Sequence, residues 1–226
     1  MTYQSTRDRL ETYFDQTASK TWEQLTSDAP VSRIRQTVRA GRDAMRARLL
    51  AILPHDLRGA RVLDAGCGAG SASIELAARG ACVTAVDISP SLLEVAERRT
   101  PEALWEQIDY RSGDMLDPEL GEFDAVFAMD SLIHYTAPDV ARALDGLMRR
   151  THGPVAFTFA PKSALLTMMW WAGKAFPRAD RSPAIQPNKM STIQKHLKIH
   201  NPSSTLVEHS RISSGFYISQ AMEARA

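Results

Sequence analysis

Residues 62–70 read Val-Leu-Asp-Ala-Gly-Cys-Gly-Ala-Gly, and the next apolar run, residues 81–86, ends on Asp87. A short strand that empties into glycines lets the backbone turn sharply and lets a ligand approach where a Cβ would otherwise stand. Residues 71–79 have helical composition, so their first N–H groups point at whatever carboxylate or phosphate sits in the loop. Asp87 closes the second strand, where a carboxylate accepts hydrogen bonds from ribose hydroxyls. Together these parts describe a pocket for a nucleotide-type cofactor, and their coupling argues against an ordinary glycine-rich turn. Spacing then separates two cofactor classes. The dinucleotide fingerprint is G-x-G-x-x-G, whereas Gly66, Gly68 and Gly70 form a G-x-G-x-G preceded by Asp64. An acid at that place suits a cationic amino group and repels a pyrophosphate, which disfavours an NAD-dependent oxidoreductase.

The elements that position these residues follow from the pattern of the chain. At 226 residues, 44% hydrophobic and 23% charged, the chain can bury a full core. Strand-like and helix-like segments alternate from Arg61 onward, which predicts an α/β fold with a doubly wound, Rossmann-like, seven-stranded and mostly parallel sheet. Strands are expected at 61–64, 81–87, 107–112, 123–129, 155–159, 204–212 and 215–221, the last two as an antiparallel pair. Helices fit 71–78, 89–99, 138–149 and 191–199, with Pro90 and Pro138 in first turns, where a missing N–H costs nothing. Residues 1–55 form a helical arm or cap, and 56–226 the main domain. Within the arm a long helix over 38–53 is halted by Pro54, residues before about Ser32 are less regular, and Tyr13, Phe14, Trp22 and Leu25 are spaced to bury one face. An insertion over 161–190 follows the fifth strand. Both appendages reach the carboxyl edge of the sheet, where open α/β sheets bind ligands.

The net charge of +1 gives no global field toward nucleic acid, so a nucleic-acid partner is not expected. Six arginines between Arg33 and Arg48 face a single acid, Asp43. Such a run reads either as a solvated helix face or as a contact for anionic lipid or a carboxylate-bearing substrate. Cys67 and Cys82 have no metal-ligand spacing and suit a reduced interior. Residues 1–15 lack an apolar leader, and 164–176 are far short of the ~20 apolar residues of a spanning helix, so a cytoplasmic protein is expected, with peripheral contact at an inner membrane as the extension of that reading.

The run from Val62 to Gly70 resembles motif I of the S-adenosylmethionine (SAM) dependent methyltransferases, whose acidic residue serves the amino-acid end of SAM; Asp64 matches that position. The resemblance implies that Gly66, Cys67 and Gly68 floor the methionine and ribose, that Asp87 binds the ribose diol, and that Ile88 and Ser89 follow it. It places Asp114 near the adenine amino group and Met115 against the ring, although Asp114 reads equally as a turn residue. Asp130 and Ser131, closing the fourth strand, face the sulfonium side.

Asp130-Ser131-Leu132-Ile133-His134-Tyr135 is similar to the end of the fourth strand in the Mg-protoporphyrin IX O-methyltransferases of chlorophyll and bacteriochlorophyll synthesis. Further stretches agree with that family: Tyr13-Phe14 followed by Trp22; Thr158-Phe159-Ala160-Pro161-Lys162; Phe176-Pro177-Arg178 leading into Asp180-Arg181-Ser182-Pro183; and Ser214-Gly215-Phe216-Tyr217. One departure stands out, because the family's arm reads W-x-x-I-Y and this chain has Thr26 where the tyrosine belongs. Tyr3 or Tyr13 would then have to substitute.

The resemblance implies methyl transfer from SAM to the C13 propionate of Mg-protoporphyrin IX, giving a monomethyl ester and S-adenosylhomocysteine (SAH). A propionate, with a reference pKa of about 4.3, is already an anionic nucleophile, so the task is alignment. His134 is the candidate for orienting it, a structural histidine being the plainer alternative. The flat apolar porphyrin asks for aromatic or methionine walls and a cationic rim. Met168, Met169, Trp170 and Trp171 are candidates for the wall and Lys162, Arg178 or Arg181 for the rim, although packing explains the wall residues equally, and Tyr13, Trp22 and Tyr135 are further candidates for substrate contact. The protein itself needs no metal, since magnesium arrives in the substrate, and the family's chemistry implies handover from the magnesium chelatase. A methyltransferase for a quinone-like acceptor and a non-catalytic porphyrin carrier are the rival readings.

Overall fold

The computed structural model describes residues 2–15, 33–162, 185–215 and 217–226. Its strands are β1 (Arg61–Ala65), β2 (Cys82–Asp87), β3 (Ile108–Ser112), β4 (Ala125–Ala128), β5 (Val155–Phe159), β6 (Thr205–Ser214) and β7 (Tyr217–Arg225). They form one sheet in the order β3-β2-β1-β4-β5-β7-β6. β1 to β5 run parallel, and β7 lies antiparallel between β5 and β6. The chain direction of winding reverses between β1 and β4, which opens a crevice at the carboxyl ends of the strands. The seven strands and the antiparallel last one agree with the sequence expectation.

The described helices are α1 (Tyr3–Tyr13), α2 (Arg33–Leu50), α3 (Ser71–Ala78), α4 (Pro90–Arg99), α5 (Ala137–Met148) and α6 (Met190–His200). A sheet covered on both faces needs strands that are apolar on both, and β4 and β5 are buried at every position. Side chains alternate between two cores with the strand period of two. Val126 and Ala128 join Leu144, Leu147, Ile193 and Leu197 on the α5–α6 side. Ala125 and Phe127 join Met45, Leu49 and Leu76 on the α2–α3 side.

The larger departures from the sequence reading each have a physical reason. The arm before Ser32 begins with a regular helix, α1, opened by a capping box between Thr2 and Ser5. Only Thr6 and Leu10 are buried along it, so it carries almost no apolar period to read. Helix α2 starts at Arg33 and ends at Leu50, short of Leu53. A proline ring clashes with the carbonyl four residues before it, which here is that of Leu50, and that carbonyl accepts from Arg79 Nη1 instead (2.8 Å). β4 is shorter than 123–129, because Phe123 pairs in an isolated bridge with Thr151. β7 runs on to Arg225, past Ala221, carrying buried Ser219, Gln220 and Glu223 that interrupt its apolar pattern. Glu223 is held by His209 (3.2 Å) and Arg225 (2.6 Å). No described helix is long and apolar enough to cross a membrane.

Candidate active site

The glycine turn after β1 is tied to its neighbour strand, since the backbone N–H groups of Gly66 and Cys67 both donate to the Val86 carbonyl (2.8 and 3.0 Å). Gly66 has φ +82°. A Cβ there would run into the Cβ of Ser131, so glycine lets the loops after β1 and β4 touch. At Gly68 a Cβ would meet nothing within 4 Å, which leaves an open cradle above the loop. Asp87 frames that cradle: one carboxylate oxygen accepts from Gly68 N–H (2.8 Å), the other from Ser89 N–H (2.9 Å). Burial pushes its carboxyl above the ordinary range despite those bonds. Asp64 lies deeper, 1% exposed, and accepts from Ser73 Oγ (2.6 Å). Burial, partly opposed by Ser73 and reinforced by the charge of Asp87, raises it to about 7.

A cavity of about 320 Å³ opens over this turn at the carboxyl edge of the sheet. Asp64, Gly66, Cys67, Gly68, Asp87, Ile88, Asp114, Met115, Asp130, Ser131, His134 and Tyr135, all singled out from sequence, border it together. Ser131 Oγ is buried on this wall without a hydrogen-bond partner, a group that asks for a ligand. His134, 9% exposed, closes a short helical turn over Leu132–His134 and meets the Phe14 ring edge-on at 6.0 Å. Asp130 adopts φ +57°, a left-handed conformation that only short polar side chains tolerate readily. Tyr217 Oη donates to its carboxylate (3.0 Å), Arg42 Nη1 pairs with it at 3.1 Å, and its N–H donates to Thr158 Oγ1 (2.7 Å). Asp114, two residues beyond β3, accepts from Tyr3 Oη (2.8 Å), Leu116 N–H (2.9 Å) and Arg7 Nη1 (3.2 Å).

Three expected residues stand elsewhere. Ser89 is fully buried as the N-cap of α4, its Oγ accepting from Leu92 N–H (3.4 Å), and is not on the cavity wall. Tyr13 packs edge-on against Phe14 (5.3 Å), and it is Phe14 that reaches the wall. Lys162 is exposed and lies off the wall. Trp22, Met168, Met169, Trp170, Trp171, Arg178 and Arg181 fall outside the described residues. The structure adds Leu10 and the α2 residues Arg39, Arg42, Asp43 and Arg46 to the wall, and of the two tyrosines named as substitutes in the arm it places Tyr3 there. Tyr3 stacks on Tyr135 with ring centroids 4.9 Å apart, so it is the arm tyrosine found at the site. No local pattern marks Tyr3, whereas the arginine run did announce α2.

The parts fit SAM on their own terms. A glycine cradle faces an acid able to take ribose hydroxyls, and an orphaned hydroxyl and a near-neutral carboxyl stand at the end where an amino acid would lie. This sheet order with its antiparallel seventh strand, joined to this loop, defines a SAM-dependent methyltransferase of the Rossmann-like class. A family model described as a methyltransferase domain matches residues 62–152, and one described as the C-terminus of magnesium-protoporphyrin IX methyltransferase matches residues 128–226. The magnesium-protoporphyrin O-methyltransferase of Rhodobacter capsulatus is 50% identical over 99% of this chain and 98% of its own length. The crystal structure of magnesium protoporphyrin IX methyltransferase from Synechocystis with bound SAH is 29% identical, covers 97% of this chain and 100% of that one, and superposes with a TM-score of 0.81. A ubiquinone biosynthesis O-methyltransferase of Xanthomonas oryzae pv. oryzae is 43% identical over 42% of this chain and 41% of its own. The chain belongs to the magnesium-protoporphyrin O-methyltransferase family.

Proposed function

We propose that the chain transfers the methyl group of SAM to a propionate carboxylate of Mg-protoporphyrin IX, the one at C13, releasing the monomethyl ester and SAH. The observation that carries the reading is that His134, Ser131 and the glycine cradle share one cavity wall in a chain of this family. SAM supplies a methyl group on a positively charged sulfur, which the carboxylate oxygen takes while the C–S bonding pair stays with sulfur and no proton changes hands. The residues therefore have to align rather than to deprotonate. Such alignment is worth roughly 7–11 kcal/mol of barrier. Gly66, Gly68, Asp87 and Ser131 hold the donor, with Asp64 answering its ammonium group. Tyr3, Tyr135 and Phe14 bring aromatic surface beside His134, which suits an apolar disc. His134 orients the acceptor's carboxylate by a hydrogen bond.

In this reading the arm (residues 1–55) caps the cofactor end of the main domain (56–226), and the insertion (161–190) serves its substrate side. Peripheral contact with a membrane and receipt of substrate from the magnesium chelatase belong to it as well, supported by the poor water solubility expected of a flat metalloporphyrin. Incubation with SAM and Mg-protoporphyrin IX, followed by mass analysis, is expected to show one added methyl group. His134→Ala is expected to lower kcat by about 100-fold, the scale of a misaligned reacting pair, with the Kd for SAM nearly unchanged. No gain in mass would refute the acceptor, and full turnover by the variant would refute the role of His134.

A further inference from the structure

The fold turns half of the arginine run inward. Arg39, Arg42 and Arg46 stand at i, i+3 and i+7 along α2, and all three border the cavity. Helix α2 descends from the carboxyl edge of the sheet, where Gly41 meets Tyr217 and Thr37 meets Gly215 of the β6–β7 hairpin, to the opposite edge, where Leu50 accepts from Arg79. Position along the helix is therefore height relative to the strand ends. Arg46 is the furthest of the three from the carboxyl edge, paired with the partly exposed acids Glu75 (2.5 Å) and Asp43 (2.9 Å). Arg42 lies level with the end of β4, paired with Asp130. Arg39 stands one turn further out, roughly 4.5 Å by helical rise, past the strand ends on the side from which an acceptor approaches.

The described wall also carries five acids; Arg46, Arg7 and Arg42 pair with Asp43, Asp114 and Asp130, while Asp64 and Asp87 flank the glycine cradle. The carboxyls at the cradle suit a cationic donor and offer no hold on an acceptor that carries two carboxylates. A dianion needs a cation at the mouth of this site, and its planar fork makes arginine the side chain that grips a carboxylate at two points. Resting on the acceptor proposed above, we infer that Arg39 binds the propionate that is not methylated. That grip fixes which propionate faces the donor and which faces α2, so Arg39 determines regiochemistry.

The test compares the wild-type protein with Arg39→Gln and Arg39→Lys on Mg-protoporphyrin IX and on an acceptor whose non-reacting propionate is already a methyl ester. Arg39→Gln is expected to raise KM for the diacid at least tenfold and to give both monoester isomers. Arg39→Lys recovers part of the loss, KM for the pre-esterified acceptor is the same in all three proteins, and calorimetry gives an unchanged Kd for SAM. Equal shifts on both acceptors, or an unaltered KM and single isomer, overturn the assignment. A weakened Kd for SAM with an unchanged acceptor KM also overturns it, because the arginine then serves the donor's own carboxylate. If the wild-type protein transfers no methyl group to either acceptor, the proposed function itself fails and takes this assignment with it.

Discussion

Asp64 is a buried carboxyl that folding holds near neutrality, at about 7 against an ordinary value of 3.8. Between those values the folded protein keeps a proton that the unfolded chain has lost, so this group makes stability fall as pH rises across the window. A cation in the cradle reverses the preference and favours the carboxylate. SAM binding is thus expected to release a proton near pH 6.5 and to tighten as pH rises through about 7, by up to tenfold per unit below it. Calorimetry in buffers of differing ionisation enthalpy reads the proton directly, and Asp64→Asn should flatten the profile; a flat profile in the wild-type protein would contradict the assignment. At this scale the sequence was legible wherever spacing along one loop decides the outcome. Asp64, Gly66, Gly68 and Asp87 fall on the wall because a strand end fixes them. Ser89 does not, because a serine before Pro90 is also an ideal helix cap, and capping claims its side chain.

The glycine turn and the helices around it act through their contacts with one another. Gly66→Ala forces a non-glycine residue into φ +82° and drives its Cβ into Ser131. The conformation alone costs about 1–2 kcal/mol, and the clash parts the loops after β1 and β4. The expected result is a loss of stability together with at least a tenfold weaker Kd for SAM. Gly59→Ala supplies the control, since φ is +75° there but nothing lies within 4 Å. It should lose a similar amount in denaturant titration and bind SAM normally. Equal binding by both variants would show that the touching loops do not shape the cradle. Elements were legible where period and punctuation agree, as in β5 and α3. They were obscured in α1, whose residues are mostly exposed and whose place is fixed by Tyr3 and Arg7 reaching Asp114 more than a hundred positions away.

Across the whole molecule, Asp130 is the point where four elements meet. It follows β4, pairs with Arg42 of α2, accepts from Tyr217 of β7, and contacts Thr158 of β5. Its side chain is 6% exposed and that of Arg42 19%, so neither charge is well hydrated when alone. Asp130→Asn keeps the shape and removes the countercharge, and is expected to cost ~2 kcal/mol in chemical denaturation, below the range for a fully buried pair. Adding Arg42→Met should return part of that loss, because the guanidinium whose Asp130 countercharge was removed is gone as well. A double variant as unstable as the summed singles would mean the pair does not couple. This junction was not legible in the sequence, since its members lie 87 positions apart for Tyr217 alone and share no periodicity.

The two ends of the described chain lie at opposite edges of the sheet. Thr2 and Ser5 cap the helix that sets Tyr3 against Tyr135, so anything fused ahead of Thr2 begins beside the cavity mouth. Ala224 pairs with Val155 at the start of β5, so Ala226 emerges at the edge remote from the ligand. Affinity tags, fluorophores and surface tethers therefore belong after Ala226, where an immobilised enzyme presents its open side to solution.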